Sequence, residues 1–220
     1  SHELKTPLTS ISGYAEIIRE GMVKSEDVGR FAGKIYEEAQ RLITLVEDIL
    51  NLSHLDEGAP GQERRQGIDL YALCERAVAS LAEAARQRGI AISLTGSRQR
   101  VDGAEKLLAE IIFNLCDNAI KYNQENGHVA VSVTREGDRV VLTVQDTGIG
   151  IPPGETDRVF ERFYRVDKSH SKEIGGTGLG LSIVKHAAAY HDAKIQLDSQ
   201  LGRGTRVRVL FPLSQREAQP

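Results

Sequence analysis

From His2 to about Glu20 the apolar residues Leu4, Leu8, Ile11, Ala15 and Ile18 recur at steps of four and three. From about Glu26 to Asp56 the same seam runs through Val28, Phe31, Ile35, Leu42, Leu45, Ile49 and Leu52. This spacing constrains the fold more than any other feature, because it commits the start of the chain to two helices, each with one sticky stripe. Gly21 ends the first helix, so the pair is an antiparallel hairpin. Two helices cannot enclose a core alone. The stripes must be covered either by the rest of the chain or by a second copy, and the sustained seam of the longer helix favours a four-helix bundle formed by a homodimer.

Glu57-Gly58-Ala59-Pro60-Gly61 breaks the pattern and reads as a linker. The expected organisation is a hairpin over 1–57, a linker over 58–67, a second domain over 68–214 and a tail over 215–220. In the second domain a helix is predicted from Asp69 to Arg88 with Asp69 as its cap, and a strand from Ile90 to Leu94. A helix follows from Ala104 to Tyr122, and a hairpin of Val129 to Arg135 with Arg139 to Asp146. A short helix is expected over Pro152 to Phe163, a helix over Leu179 to Tyr190, and strands over Lys194 to Ser199 and Thr205 to Phe211. Hairpins mixed with helices indicate an α+β fold, with helices on one face of a mostly antiparallel sheet.

Composition removes several function classes. A net charge of −3 gives no broad basic field, which argues against nucleic acid as a partner. No apolar run of about 18 residues is present, so no direct membrane contact is expected of these residues. Cys74 and Cys116 lie on apolar helical patterns without metal-like spacing and read as buried thiols of a reducing compartment. The chain opens inside a motif and without methionine, so an upstream part is expected.

Three features of the second domain carry chemistry. Glu110, Asn114 and Asn118 are spaced four apart, a polar stripe on an otherwise apolar helix. Asparagine is a mediocre helix former, and its amide oxygen suits Mg2+, which usually also takes substrate phosphates. Asp146-Thr147-Gly148-Ile149-Gly150 closes a strand, where a carboxylate can accept a hydrogen bond from an exocyclic amine and Gly148 and Gly150 let backbone approach a flat ring. Gly175-Gly176-Thr177-Gly178-Leu179-Gly180-Leu181 leads into a helix, which turns backbone N–H groups and a positive helix end toward an anion. It is neither a dinucleotide-binding fingerprint nor a P-loop. Between the glycine motifs, Arg162, Arg165, Lys168 and Lys172 lie in a polar stretch with Ser169, His170 and Ser171, a candidate lid over phosphates. For most of these cations a solvated surface is the simpler reading.

In this order the motifs resemble a known family. Asn114 to Tyr122, Asp146 to Gly150, Phe160-Glu161-Arg162-Phe163 and Gly176 to Leu181 look like the N, G1, F and G2 boxes of sensor histidine kinases. His2-Glu3-Leu4-Lys5-Thr6-Pro7 looks like their H box. The resemblance covers nearly all of the chain. It implies a dimerisation and phosphotransfer hairpin followed by an ATP-binding α/β sandwich of the Hsp90, gyrase and histidine-kinase type. It also implies ATP and Mg2+, a response-regulator receiver domain as partner, and a place in the cytoplasmic portion of a bacterial inner-membrane sensor. Carried over by motif, Asn114 would hold Mg2+, Asn118 and Lys121 would meet the phosphates, and Tyr122 would lie near the adenine. Asp146 would bind the adenine amine, with Thr205 lining that end. Gly176, Thr177, Gly178, Leu179 and Gly180 would shape the phosphate loop. The chain departs from the family where Asp102-Gly103 stands in place of a common Gly-Asp.

His2 is the expected acceptor. With Leu4 and Leu8 on the seam, it points away from the bundle core. An imidazole with an unperturbed pKa of about 6.5 is a nucleophile near neutrality. Glu3 is placed to take a proton from the other ring nitrogen. Pro7 cannot donate to the carbonyl of Glu3, so a kink is expected there. Thr6, on the face of His2, is the family's position for orienting a water that dephosphorylates the regulator. His54 and His170 have no such company and read as inert. Two other readings stand beside this one: a nucleotide-binding scaffold without transfer, and an ATPase of the same fold without a phosphoprotein.

Overall fold

The computed structural model describes residues 2–56, 64–166 and 176–214. Helices α1 (His2–Arg19) and α2 (Val28–Asp56) form the expected hairpin, joined through a 3-10 turn at Ser25–Asp27. The helix runs on through Pro7, whose side chain is buried. Tyr14 and Phe31 meet edge to face across the hairpin at 5.8 Å.

The second domain begins with β1 (Arg65–Asp69) and α3 (Leu70–Gln87). Asp69 caps α3 as expected, its carboxylate accepting from the Ala72 amide at 3.1 Å. Next come β2 (Ala91–Gly96), β3 (Arg100–Gly103) and α4 (Glu105–Lys121). A hairpin of β4 (His128–Glu136) and β5 (Arg139–Asp146) follows, then α5 (Gly180–Tyr190), β6 (Lys194–Gln200) and β7 (Gly204–Pro212). The main sheet has the order β2-β4-β5-β7-β6. Only the β2–β4 pair is parallel; the other neighbours run antiparallel. Helices α3, α4 and α5 cover one face.

The core is aliphatic, as the lack of Trp requires. Val129, Val131 and Val133 of β4, Val140, Leu142 and Val144 of β5, and Val207, Val209 and Phe211 of β7 point inward at every second position. They meet Leu108, Ile111, Ile112 and Leu115 of α4 and Ile183 and Val184 of α5. Leu45 and Leu52 of α2 are buried in the same cluster, so part of the hairpin packs on its own chain. Ile43, Val46 and Leu50 remain exposed and are spaced three and four apart, a stripe left for another partner.

Two local expectations change. The helix expected over Pro152 to Phe163 is only a 3-10 turn, Arg158–Phe160. Pro152-Pro153-Gly154 removes two backbone donors and adds a flexible residue where the first turn would form. Phe163 is left-handed at φ 64, which bars helix there. The small antiparallel sheet of β1 and β3 has no counterpart among the expected strands. Its register slips between Arg65 and Ile68, so it carries no clean alternation to read.

The Asp102-Gly103 departure has a structural reason. Asp102 accepts from the Gly67 amide at 2.8 Å and from Ser214 Oγ at 2.6 Å, tying β1 and the end of the described chain to β3. A β-carbon on Gly103 would fall on the His191 ring. That ring is 1% exposed. Its Nδ1–H donates to the Ala187 carbonyl at 2.6 Å, and its Nε2 accepts from the Ala104 amide at 3.0 Å at the start of α4.

This arrangement requires neutral imidazole, because a proton on Nε2 would oppose the Ala104 N–H. Burial pushes the His191 pKa below its ordinary value, with the positive charge of Arg64 acting the same way. A depressed folded pKa means that the unfolded chain binds the proton more tightly. The stability from neutral His191 is therefore complete above about pH 6.5 and is lost as pH falls from there toward the folded pKa. Denaturant unfolding at pH steps between about 7.5 and 5 should show wild type losing more stability than His191→Gln over that window. Parallel curves would contradict the role given to the ring.

Candidate functional site

A cavity of about 620 Å³ opens between α4, the carboxyl end of β5, the start of β7 and the glycine loop before α5. It brings together most of the residues that the sequence singles out. Asn114, Asn118, Lys121 and Tyr122 line it from α4. Asp146, Gly150 and Thr205 line it from the sheet side, Arg165 from the segment after the 3-10 turn, and Gly176, Thr177, Gly178 and Gly180 from the loop. Gly148 and Leu179 support the cavity without lining it: the Gly148 amide bonds to Asp146, and Leu179 is fully buried. Arg162 lies outside, exposed, with Nη2 donating to His186 Nε2 at 3.2 Å. Lys168, Ser169, His170, Ser171, Lys172 and Gly175 fall outside the described residues.

At one end stands the Asp146 carboxylate. Its Oδ1 accepts from the amides of Gly148 at 2.8 Å and Thr205 at 3.1 Å. Burial raises the Asp146 pKa, and these two bonds oppose the rise. Both fall on Oδ1, so Oδ2 keeps its lone pairs for a ligand amine. Apolar walls flank it: Ile149, Ile151, Val144 and Leu197 also line the cavity, which suits a flat ring.

The glycine loop shapes the other side. Gly178 sits at φ 73, and its carbonyl accepts from the Phe163 amide at 2.9 Å. A β-carbon there would meet the Phe163 backbone at 2.9 Å as well as strain φ. Helix α5 starts at Gly180, directing its unpaired amides toward the cavity. Arg165 adds a cation. Its Nε and Nη2 are buried without a hydrogen-bond partner among the described residues. Burial lowers its pKa, while the Tyr122 hydroxyl and Glu3 act to raise it. Two buried guanidinium nitrogens without a partner among the described residues are poised for an anionic ligand.

On α4, the Asn114 amide nitrogen donates to the Glu110 carbonyl at 2.9 Å, leaving Oδ1 as the acceptor turned toward the Gly180 position. Among the described residues no group of three or more His, Cys, Asp or Glu could hold a metal. One amide oxygen suits Mg2+ only if phosphate and water supply the rest of the shell, which is how that ion usually binds. Lys121 pairs with Asp117 at 2.6 Å, one helical turn back, a partner that the spacing of four already permits. Thr44 and Asp48 of α2 also line the cavity, and no local sequence signal points to them.

The motif expected to hold the phosphoacceptor is only partly described. His2 is the first residue of α1, and its side chain lies outside the described residues. Glu3 is exposed and Thr6 half-buried. Glu3 is the weakest of the charges that act on Arg165. His54 is exposed near the end of α2.

Comparison with known proteins gives a consistent result. Residues 103–215 match the histidine kinase-, DNA gyrase B-, and HSP90-like ATPase family, and residues 1–58 match the His Kinase A phospho-acceptor domain. The sensor-like histidine kinase SenX3 of Mycolicibacterium smegmatis is 39% identical over 213 residues, covering 96% of this chain and 55% of that protein. The chain thus spans about half the length of the SenX3 relatives it matches. Among solved structures, the Acinetobacter baumannii histidine kinase AdeS superposes with a TM-score of 0.79 at 23% identity, covering 97% of this chain and 98% of that one. The histidine kinase ThkA, solved in complex with the response regulator TrrA, superposes with a TM-score of 0.76 at 22% identity, covering 98% of this chain and 60% of that one. At these identities the structures establish the fold. No helix among the described residues is long and apolar enough to cross a membrane.

The geometry at Asp146 gives a test of ligand orientation. In Asp146→Asn the amide oxygen would stay with the Gly148 and Thr205 amides, so the NH2 would face the ligand. Donor would then oppose donor at an adenine amine. Affinity for adenine nucleotides should fall by roughly ten- to a hundred-fold, the loss expected for one charge-assisted hydrogen bond. The inosine analogue, with a carbonyl at that ring position, should lose much less. Titration calorimetry with both nucleotides checks this; equal losses would contradict the orientation.

Proposed function

The chain belongs to the sensor histidine kinase family, and on that premise we propose that it is an ATP-dependent protein histidine kinase that phosphorylates itself on His2. The phosphoryl group then passes to an aspartate in the receiver domain of a response regulator. The observation that carries this reading is the cavity itself, where a half-buried carboxylate at one side, and at the other a glycine loop with Arg165, whose Nε and Nη2 have no partner among the described residues, match the two ends of ATP.

ATP lies with its adenine amine on Asp146 and its ring between the apolar walls, near Thr205 and Tyr122. Its phosphates lie along Gly176 to Gly180, within reach of Asn118, Lys121 and Arg165. Arg162 and the other cations of the lid offset charge from outside. Asn114 supplies an oxygen ligand for Mg2+, which when bound neutralises charge on the phosphates. A ring nitrogen of His2 attacks the γ-phosphorus. A P–N bond forms, the bond to the bridging oxygen breaks, and ADP leaves with the electron pair. Glu3 takes the proton from the other ring nitrogen and holds the ring in line. The receiver aspartate later attacks the same phosphorus and the P–N bond breaks. Thr6 orients a water that hydrolyses the regulator's phosphoaspartate, so Glu3 and Thr6 serve opposite reactions from one turn of helix.

Two further parts of the reading concern partners. Ile43, Val46 and Leu50 pack on a second copy, forming a four-helix homodimer. The receiver domain of a response regulator is the second partner, the class of protein with which ThkA is solved in complex. The chain itself is read as the cytoplasmic portion of a bacterial inner-membrane sensor.

Incubation with γ-labelled ATP and Mg2+ should leave acid-labile label on the chain, and His2→Gln should abolish it while retaining nucleotide binding. Label that persists in His2→Gln would overturn the assignment of the acceptor. Phosphate release without any phosphoprotein would instead favour a plain ATPase.

A further inference from the structure

The hairpin does more than stand beside the nucleotide cavity. Helix α2 packs against α5 and reaches the glycine loop, where Thr177 Oγ donates to Asp48 Oδ2 at 2.7 Å. Asp48 lines the cavity with Thr44, one turn earlier on the same helix. The loop hydroxyl that would face a phosphate is therefore bonded to a carboxylate of the other domain.

The charges around Asp48 are poorly balanced. Burial raises its pKa; the Thr177 bond and Lys121 act to lower it, and Glu47 and Asp117 raise it further. Lys121, the nearest cation from α4, is already paired with Asp117. Across from Asp48, Glu110 has its Oε2 buried without a partner among the described residues. Its pKa is raised by burial first and by Asp48 as well, against the pull of Lys106. Asp48 thus brings a carboxylate of the hairpin to the region that the phosphates must enter, with the buried Glu110 adding negative charge behind it. A triphosphate places more negative charge there than a diphosphate, so the repulsion discriminates between them.

Resting on the nucleotide-site reading above, we propose that Asp48 is a nucleotide-discriminating residue: its carboxylate holds Thr177 and sets a negative charge against the phosphate end of the cavity, so docking of α2 opposes binding of a triphosphate more than binding of a diphosphate. Linkage makes the effect reciprocal: a triphosphate weakens the α2 contact by the same factor by which the contact weakens the triphosphate. The docked arrangement is then the one that ADP tolerates, and ATP frees the hairpin for the transfer step.

The test is equilibrium binding of ADP and a non-hydrolysable ATP analogue, with Mg2+, to the 220-residue chain and its variants. Asp48→Asn keeps an oxygen for Thr177 and removes only the charge; Asp48→Ala removes both. Glu47→Gln, an exposed neighbour on α2, makes the same change in net charge away from the loop. Asp48→Asn should tighten the ATP analogue by roughly three- to ten-fold and ADP by less than about two-fold. Asp48→Ala should do at least as much, and Glu47→Gln should leave both within about two-fold. Equal tightening for both nucleotides, no change, or weaker binding of the ATP analogue in Asp48→Asn would overturn the proposal. If neither nucleotide binds wild type or any variant, the nucleotide-site reading itself fails, and the proposal falls with it.

Discussion

The structure of the site depends on one half-buried carboxylate. Asp146 ends β5, a strand paired on both sides, with β4 and with β7. Left alone, a charge in that position would be costly. Two backbone amides make it tolerable, and they come from different places: Gly148 in the turn just beyond the strand, and Thr205 at the start of β7. The same two bonds fold the glycine turn back and fix the start of β7 against it. On the proposed reading, anchoring and ligand recognition are thus one interaction, because the oxygen that is not used for the fold is the one available to a nucleotide base.

Around that anchor the ends of the cavity are complementary in chemistry. The carboxylate lies among apolar side chains suited to a flat ring. On the other side lie the glycine loop, the start of α5 and Arg165, whose Nε and Nη2 have no partner among the described residues. The hairpin then brings a second set of functional groups to the same place. Glu3 acts on Arg165, and Asp48 bonds to Thr177. In the proposed function the helix pair is both the carrier of the phosphoacceptor and, through Thr44 and Asp48, a wall of the nucleotide cavity, which is why its position relative to the sandwich bears on chemistry as well as on shape.

Much of this was legible in the sequence, for physical reasons that also explain the gaps. The helix seams, the cap at Asp69 and the β4–β5 hairpin are local patterns, and local patterns survive in one dimension. Asn114 and Asn118 of the polar stripe and the two glycine motifs converge on one cavity because each is fixed by its own short element, while Glu110 of that stripe does not line it. The helix expected over Pro152 to Phe163 failed because apolar residues there obscured a Pro-Pro-Gly start and a left-handed Phe163. The β1–β3 pair was missed because its register is irregular and its strands are short. Asp48 and Thr44 were invisible for a different reason: nothing in α2 marks them, and only the packing of α2 on α5 carries them to the loop. Lys121 was expected to serve phosphates; its pairing with Asp117 shows that a cation at a site can already be engaged before a ligand arrives.

The central claim is that this cavity binds ATP with its base at Asp146 and its phosphates along the glycine loop. Hydrogen–deuterium exchange of the chain with and without a non-hydrolysable ATP analogue and Mg2+ tests it most directly. The account predicts slower exchange at the amides of Gly148 and Thr205 and along residues 176–180, two separated stretches protected together. No protection by a saturating analogue at either stretch, or protection confined to surfaces away from the cavity, would contradict it.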